Sequence, residues 1–326
     1  MKESDIRNNK ILKKYQRLVD KDVKYFFLKK SNLRKINYKS WGCKKVFKIF
    51  KKKNFHYYQC DTTKTIFANP RPRIDLLEKF YSNTKSSNYW LDKFFLPKIE
   101  ARKNKIVIPQ VKFFSKKFKK YKNKKILDIG SGLGLFLLEL KKKWPKANLS
   151  ALEPSKKMAE KCRLSKINVY ETTIEKINTK KNQFDAITCF ELFEHLYDPK
   201  IFLDQVFKLL NKHGVFYFTT LNGMGYDIQM LGKYSNSIYP PYHINFFNPK
   251  SIEILLKKIG FKILFIDTPG KLDLSIVENN SKLLSKNKKT FMNLFFKNSS
   301  KEYKQNFQKY LQLNKLSSHM RVAVTK

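Results

Sequence analysis

The chain has 326 residues, 42% hydrophobic and 15% aromatic, which is enough apolar material for a full core and too much for a disordered protein. Its formal net charge of +43 comes from 69 Lys and Arg against 26 Asp and Glu. Only eight of the bases are Arg, the residue whose planar fork reads phosphates and bases, so the charge argues against a nucleic-acid partner.

The excess of Lys runs the whole length together with abundant Asn, Ile, Phe and Tyr, a composition that A/T-rich codons produce. Attraction to anionic membranes follows from the charge alone, and no stretch reaches the ~18 apolar residues that would cross a bilayer, so the expected membrane contact is peripheral. Four dispersed cysteines, Cys43, Cys60, Cys162 and Cys189, make no disulfide framework, and no apolar run precedes a small-residue cleavage site. The cytoplasm is the expected location.

Residues 1–36 carry Lys with apolar positions at Ile11, Leu12, Tyr15, Leu18, Val19, Val23, Phe26 and Phe27, the spacing of an amphipathic helix. Short strands are expected at 45–50, 56–60 and 65–68, ending where Asn69-Pro70-Arg71-Pro72 breaks the pattern. From 76 to 120 the apolar residues Leu76, Leu77, Phe80 and Tyr81 return to helical spacing. Beyond 121, strands (125–129, 148–153, 168–171, 184–190, 214–220) alternate with helices (133–143, 156–164, 199–210). An irregular segment follows to about 247, then a helix at 251–259, a strand at 261–267, a polar helical stretch and a last antiparallel strand at 320–324. This alternation predicts an α/β, Rossmann-like doubly wound sheet of seven strands, six parallel and one antiparallel, whose ligand crevice lies beyond the carboxyl ends of the strands. The chain thus divides into a basic helical arm (1–36), a ribbon-like segment (37–75), a helical lead-in or cap (76–120) and a main domain (121–326).

The first strand of the main domain ends in a glycine-rich turn, Asp128-Ile129-Gly130-Ser131-Gly132-Leu133-Gly134, that opens a helix. Glycines at 130 and 132 permit backbone angles closed to other residues and let the chain approach a ligand at the helix N-terminus. Nineteen residues after Gly134, Glu153 ends the next strand, where a carboxylate can accept both hydroxyls of a ribose. A dinucleotide fold carries G-x-G-x-x-G instead, and Asp128 would repel a pyrophosphate. The same carboxylate suits the cationic, amine-bearing methionine part of S-adenosylmethionine.

These residues, with Glu153-Pro154-Ser155, Phe184-Asp185-Ala186-Ile187 and Glu191-Leu192-Phe193-Glu194-His195, resemble the class I methyltransferases over about residues 121 to 270. The resemblance implies that Asp128, Gly130, Ser131, Gly132 and Gly134 cradle the methionine portion of S-adenosylmethionine. It implies as well that Glu153 and Pro154 hold the ribose, that Thr173 and Ile174 flank the adenine, and that Phe190 lines the same pocket.

Glu191, Glu194 and His195 follow the fourth strand, and Pro240-Pro241-Tyr242-His243 supplies a later imidazole. Carboxylates and imidazoles of this kind serve as a general base or as ligands of a hard cation. The pattern resembles the ubiquinone-pathway O-methyltransferases and the small-RNA 2′-O-methyltransferases, in which such a set holds a divalent ion at the acceptor hydroxyl. By that similarity Glu191, Glu194, His195 and His243 are the candidate catalytic residues, with His195 the expected base. A local capping role for Glu194 and His195 is the bland alternative, and the reading expects catalysis without a bound metal.

Residues 40–72 resemble the zinc-ribbon lead-in of some sugar and surface-glycan methyltransferases, in which two C-x-x-C pairs precede N-P-R-P. Here Ser40 and Thr63 stand where the first and fourth ligands belong, leaving Cys43 and Cys60. Structural zinc takes four ligands, so the expectation is a ribbon that has lost its zinc. The implied activity is methyl transfer from S-adenosylmethionine to a small-molecule or glycan-linked acceptor, with O-methylation favoured. An RNA methyltransferase using the basic surface, or a non-catalytic module that binds S-adenosylmethionine, are the alternatives.

Overall fold

The computed structural model describes residues 9–82 and 84–326; the first eight residues of the basic arm lie outside that range. The described residues form two compact units, one comprising residues 98–219, 255–265 and 322–326, the other the described residues up to 97 together with 220–254 and 266–321. Both are discontinuous in sequence.

The first unit is built on a seven-stranded sheet. Its strands are β1 (Lys125–Ile129), β2 (Asn148–Leu152), β3 (Asn168–Tyr170), β4 (Phe184–Phe190), β5 (Leu210–Leu221), β6 (Lys262–Asp267) and β7 (His319–Thr325), in the spatial order 6-7-5-4-1-2-3. The pairs β5·β4, β4·β1, β1·β2 and β2·β3 are parallel. At the end of β7, Lys326 exchanges backbone hydrogen bonds with His213 and Gly214 near the start of β5, so β7 runs against it. Helices α1 (Leu135–Lys143), α2 (Lys156–Leu164), α3 (Pro199–Leu209) and α4 (Pro249–Ile259) belong to the crossovers. Strands covered on both faces read as apolar runs rather than alternations, which is why Ile126-Leu127 and Ala186-Ile187 are fully buried without polar interruption. On one face Phe114 packs against Phe136 and Trp144, with ring centroids 5.6 Å apart in each pair. Full burial of such a side chain contributes about 1.5–3 kcal/mol.

Several boundaries differ from the sequence expectation for identifiable reasons. Helix α1 begins at Leu135 rather than 133 because Gly134, at φ +70°, cannot be helical. Strand β5 starts at Leu210, four residues early, and absorbs the difference as an irregularity between Leu210 and Val215. Helix α3 is capped by Asp198, whose carboxylate accepts from the amides of Lys200 and Ile201. The capping role considered for Glu194 and His195 is therefore taken by another residue.

In the second unit, the helix Asn9–Phe27 buries Tyr15, Val19, Val23 and Phe27, one residue per turn of a single face. An antiparallel sheet of Val46–Lys52, Phe55–Cys60 and Ile66–Ala68 gains a fourth strand from far along the chain, Asn245–Phe246, which pairs with Ile66 and Phe67. The segment to 247, expected to be irregular, thus contains this strand and the helix Tyr226–Leu231. Arg71 is completely buried, with its guanidinium over the Trp41 ring at 5.2 Å and bonded to Asn245 Oδ1 at 2.7 Å. It also donates to the carbonyls of Ala68 and Ile244. Cys43 and Cys60 lie buried together around the Thr63 hydroxyl, which is 3.5 Å from Cys43 Sγ, while the Thr63 amide donates to Cys60 Sγ at 3.4 Å. Burial pushes the Cys43 thiol up to about 12. The polar stretch after β6 resolves into helices α5 (Lys286–Asn298) and α6 (Lys301–Leu313). Phe295, Phe296 and Phe307 turn inward there onto Leu231, Leu274, Val277 and Met292.

Candidate methyl-donor and acceptor site

The carboxyl end of β1 sits at the centre of the sheet, beside β4 where the strand order reverses, which is where open α/β sheets bind ligands. The turn after it holds Gly130, Gly132 and Gly134 at φ +69°, +56° and +70°. Two of these glycines are required by packing. A Cβ on Gly130 would stand 2.9 Å from Leu192 Cδ2, and one on Gly134 would stand 3.0 Å from Cys162 Sγ. Gly132 differs, since its Cβ would meet only Met158 Sδ at 4.0 Å. A left-handed position at the head of α1 where a Cβ would meet no clash suits the close approach of a ligand.

Two carboxylates line this turn. Asp128 is 2% exposed and accepts a 2.6 Å hydrogen bond from Thr188 Oγ1. Burial raises its carboxyl from 3.8 to about 7, the Thr188 bond opposing and the charge of Glu153 adding to the rise. Glu153 accepts from Gly132 N at 2.8 Å through one oxygen and from Ser155 N at 2.9 Å through the other. Burial raises its carboxyl too, and these two amides oppose the rise. Each oxygen keeps a further lone pair, enough for the two hydroxyls of a ribose. Ser131 Oγ is buried at the same turn without a hydrogen bond of good geometry, its polar neighbour being the Cys162 thiol. An open cradle, an unsatisfied hydroxyl and two carboxylates fit a cationic nucleoside such as S-adenosylmethionine.

The other residues expected around the cofactor are distributed along the same strand ends. Pro154 lies between Glu153 and the start of α2, and Thr173 precedes the short helix Ile174–Lys176, with Ile174 buried. Phe190 ends β4 and packs its ring on Phe136 at 4.5 Å and on Tyr217 at 5.8 Å.

Past β4, Glu191 adopts φ +51°, a left-handed conformation that costs a non-glycine residue about 1–2 kcal/mol. Thr219 at the end of β5 secures it twice, accepting from the Glu191 amide at 3.2 Å and donating to Glu191 Oε1 at 2.6 Å. Glu194 and His195 follow in a single 3-10 turn, the first 2% exposed and the second half-buried. Asp128, Glu191 and Glu194 are all near Cys189, whose thiol is driven well above its usual range by burial first and by these three carboxylates second. Acidic groups from β1 and β4 therefore gather at one end of the first unit.

His243 belongs to the second unit, in a loop that carries the cis peptide Pro240-Pro241. Its Nδ1 is 2.6 Å from the Ser237 carbonyl, and Tyr57 Oη donates to its backbone carbonyl at 2.8 Å. A carbonyl only accepts, so Nδ1 carries the proton in this contact. Sequence reasoning named His243 but none of these supports, because Ser237 and Tyr57 have no motif around them.

The buried Asp128 carries a pH prediction. With its folded value raised, the group favours the folded state while protonated; that contribution, about 4 kcal/mol for a shift from 3.8 to about 7, is fully present below about pH 4 and is lost as pH rises from there to 7. The ammonium of a methionine moiety favours the ionised form, so affinity for S-adenosylmethionine is expected to rise between about pH 6 and pH 8. Calorimetric titration across that range should show the rise in the native chain, and Asp128→Asn should bind more weakly with a flat profile. A native profile as flat as that of the variant would contradict the assignment.

Among known proteins, the model of the methyltransferase domain family matches residues 99–265. A ubiquinone biosynthesis O-methyltransferase of Hydrogenovibrio crunogenus is 25% identical over 174 residues, covering 49% of this chain and 70% of that one. The enzyme of the same name from Actinobacillus pleuropneumoniae is 33% identical over 111 residues, covering 30% of this chain and 46% of that one; the chain thus spans under half the length of this second relative. A solved S-adenosylmethionine-dependent methyltransferase from Archaeoglobus fulgidus aligns at 18% identity over 71% of this chain and all of that one, with a TM-score of 0.46. The match across half of the chain, on residues that build the cradle, the carboxylates and the sheet that holds them, means that this protein belongs to the methyltransferase domain family, the class I enzymes that take their methyl group from S-adenosylmethionine.

Proposed function

We propose that the enzyme methylates a hydroxyl of a small-molecule acceptor, the sugar and glycan intermediates being the class its N-terminal segment resembles. The observation that carries this reading is the turn after β4, where Glu191, held at φ +51° by the Thr219 hydroxyl at 2.6 Å, is followed by the buried Glu194, so that carboxylates stand at the strand end next to that of the donor cradle. S-adenosylmethionine, when bound, supplies the methyl group from its sulfonium. Asp128 and the Gly130–Gly134 turn hold the methionine end, Ser131 caps it, and Glu153 with Pro154 holds the ribose. Thr173 and Ile174 border the adenine, and Phe190 closes the floor.

In-line methyl transfer needs positioning and exclusion of water more than chemistry from the protein, but a hydroxyl nucleophile must lose its proton. His195 is the assigned base. Its turn is anchored by its own amide on the Leu192 carbonyl at 2.9 Å, and it follows the Glu191 bend that Thr219 fixes. Glu191 and Glu194 set the field in which the imidazole gains its proton. The two curated relatives named above carry O-methylation in their names, which favours oxygen over nitrogen or carbon.

The test is incubation of the full chain with methyl-labelled S-adenosylmethionine and three acceptors: a catechol, a monosaccharide and a primary amine. Label in an ether that survives alkali supports the reading, whereas label on the amine alone overturns it. Repeating the assay after chelation and re-addition of Mg2+ or Mn2+ distinguishes a histidine base from a divalent ion held by the same donors.

A further inference from the structure

The second unit ends in a surface with no part in the chemistry above. Helices α5 and α6 are joined only by Ser299 and Ser300, and they pack through Phe295 and Phe307, 5.2 Å apart, with Lys304 Nζ 5.4 Å over the Phe296 ring. Contacts that run backward along one helix as they run forward along the other mark an antiparallel hairpin. With its inner face thus occupied, the hairpin still exposes Phe291 (67%), Leu294 (56%), Tyr303 (66%), Tyr310 (53%) and Leu313 (73%). An α-helix turns about 100° per residue, which puts Phe291 and Leu294 on the same rotational side of Phe295 as Tyr303, Tyr310 and Leu313 are of Phe307, about 40° to 120° away. In an antiparallel pair the same side faces one way, so the five residues form one apolar stripe.

The charge around the stripe is of one sign. Between residues 282 and 316 there are nine Lys and a single acidic residue, Glu302, and no Arg. Lys297 and Lys309, each two residues beyond an inward-facing phenylalanine, border the stripe and are exposed. Apolar and aromatic side chains that enter a headgroup layer, edged by lysines whose aliphatic stems follow them inward, are the signature of a helix lying in a membrane interface. Two alternatives fit less well. A second copy of the chain would set one lysine field against another, and RNA recognition draws on Arg and on flat stacking platforms rather than on Leu and Phe tips.

We propose that the α5–α6 hairpin docks this enzyme on an anionic lipid surface, with Phe291, Leu294, Tyr303, Tyr310 and Leu313 in the headgroup layer and the lysines on acidic headgroups. This does not depend on the identity of the methyl acceptor. The test is co-sedimentation of the full chain with phosphatidylcholine vesicles, with and without phosphatidylserine, in low and high salt. The expected result is binding only when phosphatidylserine is present and weakening with salt. The variant Phe291→Ser/Leu294→Ser/Leu313→Ser and the variant Lys297→Glu/Lys309→Glu are each expected to partition at least about tenfold more weakly, with unchanged circular dichroism and unchanged affinity for S-adenosylmethionine. All five substituted side chains are exposed, so loss of fold does not confound the comparison. Equal binding by the native chain and both variants would overturn the proposal, as would indifference to phosphatidylserine or retention by single-stranded RNA without vesicle binding.

Discussion

Gly132→Arg is expected to abolish detectable binding of S-adenosylmethionine while leaving a folded protein. The substitution acts at the one glycine of the turn whose Cβ would meet no clash, its nearest neighbour being Met158 Sδ at 4.0 Å. A side chain there is spared a clash with protein atoms and pays only for the left-handed backbone at φ +56°, about 1–2 kcal/mol. The guanidinium then extends into the cradle and brings a positive charge to the place where Asp128 and Glu153 wait for a cation. Displaced volume and like-charge repulsion together should weaken affinity at least about 100-fold, roughly 2.7 kcal/mol. Calorimetric titration measures this, with circular dichroism as the check on folding. Gly130→Ala is the control with the opposite profile: its Cβ at 2.9 Å from Leu192 Cδ2 disturbs packing first, so melting temperature should fall further than for Gly132→Ala. Undiminished binding in Gly132→Arg would remove the cofactor from this turn.

Loss of the His195 imidazole should lower kcat about 10²- to 10⁴-fold, the usual contribution of a positioned general base. His195→Ala leaves the Gly130–Gly134 turn and Glu153 intact, so affinity for S-adenosylmethionine should stay within about twofold of the native value. A purely structural role would move both quantities. The sharper readout is acceptor acidity: an acceptor whose hydroxyl is already ionised needs no base, and with it the deficit of His195→Ala should shrink toward the native rate. An equal deficit for acidic and ordinary acceptors would dismiss His195 as the base and turn attention to His243.

How far these features were legible in the sequence depended on where their energy comes from. Strand β1 with Asp128 and the glycine turn was legible to the residue, because a strand buried on both faces must be apolar throughout and left-handed positions demand glycine. Glu153 was legible by its distance from the turn, whereas its bonds to the Gly132 and Ser155 amides were not, since they arise only once β1 and β2 pair in register. Glu191 reads as an ordinary acid in the sequence; its positive φ comes from Thr219, 28 residues on, which no local pattern reports. The strand Asn245–Phe246 was invisible for the same reason, being two residues long and defined wholly by its partner. The packing of α5 and α6 was hidden in another way: Phe291, Phe295 and Phe296 look alike as letters, and only the fold separates those turned inward from those left outside.

The pairing of Asn245–Phe246 with Ile66–Phe67 also limits how this protein can be cut or recombined. A chain shortened to begin at residue 98 keeps every residue of the glycine turn, yet it deletes the strand on which Asn245 is hydrogen-bonded, the Arg71 guanidinium that holds Asn245 and the Ile244 carbonyl, and the Tyr57 hydroxyl that holds the carbonyl of His243. The N-terminal segment is therefore no detachable module that a relative could lend or lose. Insertions and domain exchanges should be resisted anywhere between Val46 and Ala68, because every strand in that interval is a structural partner of a two-residue strand almost two hundred residues downstream or of its neighbour in the same small sheet.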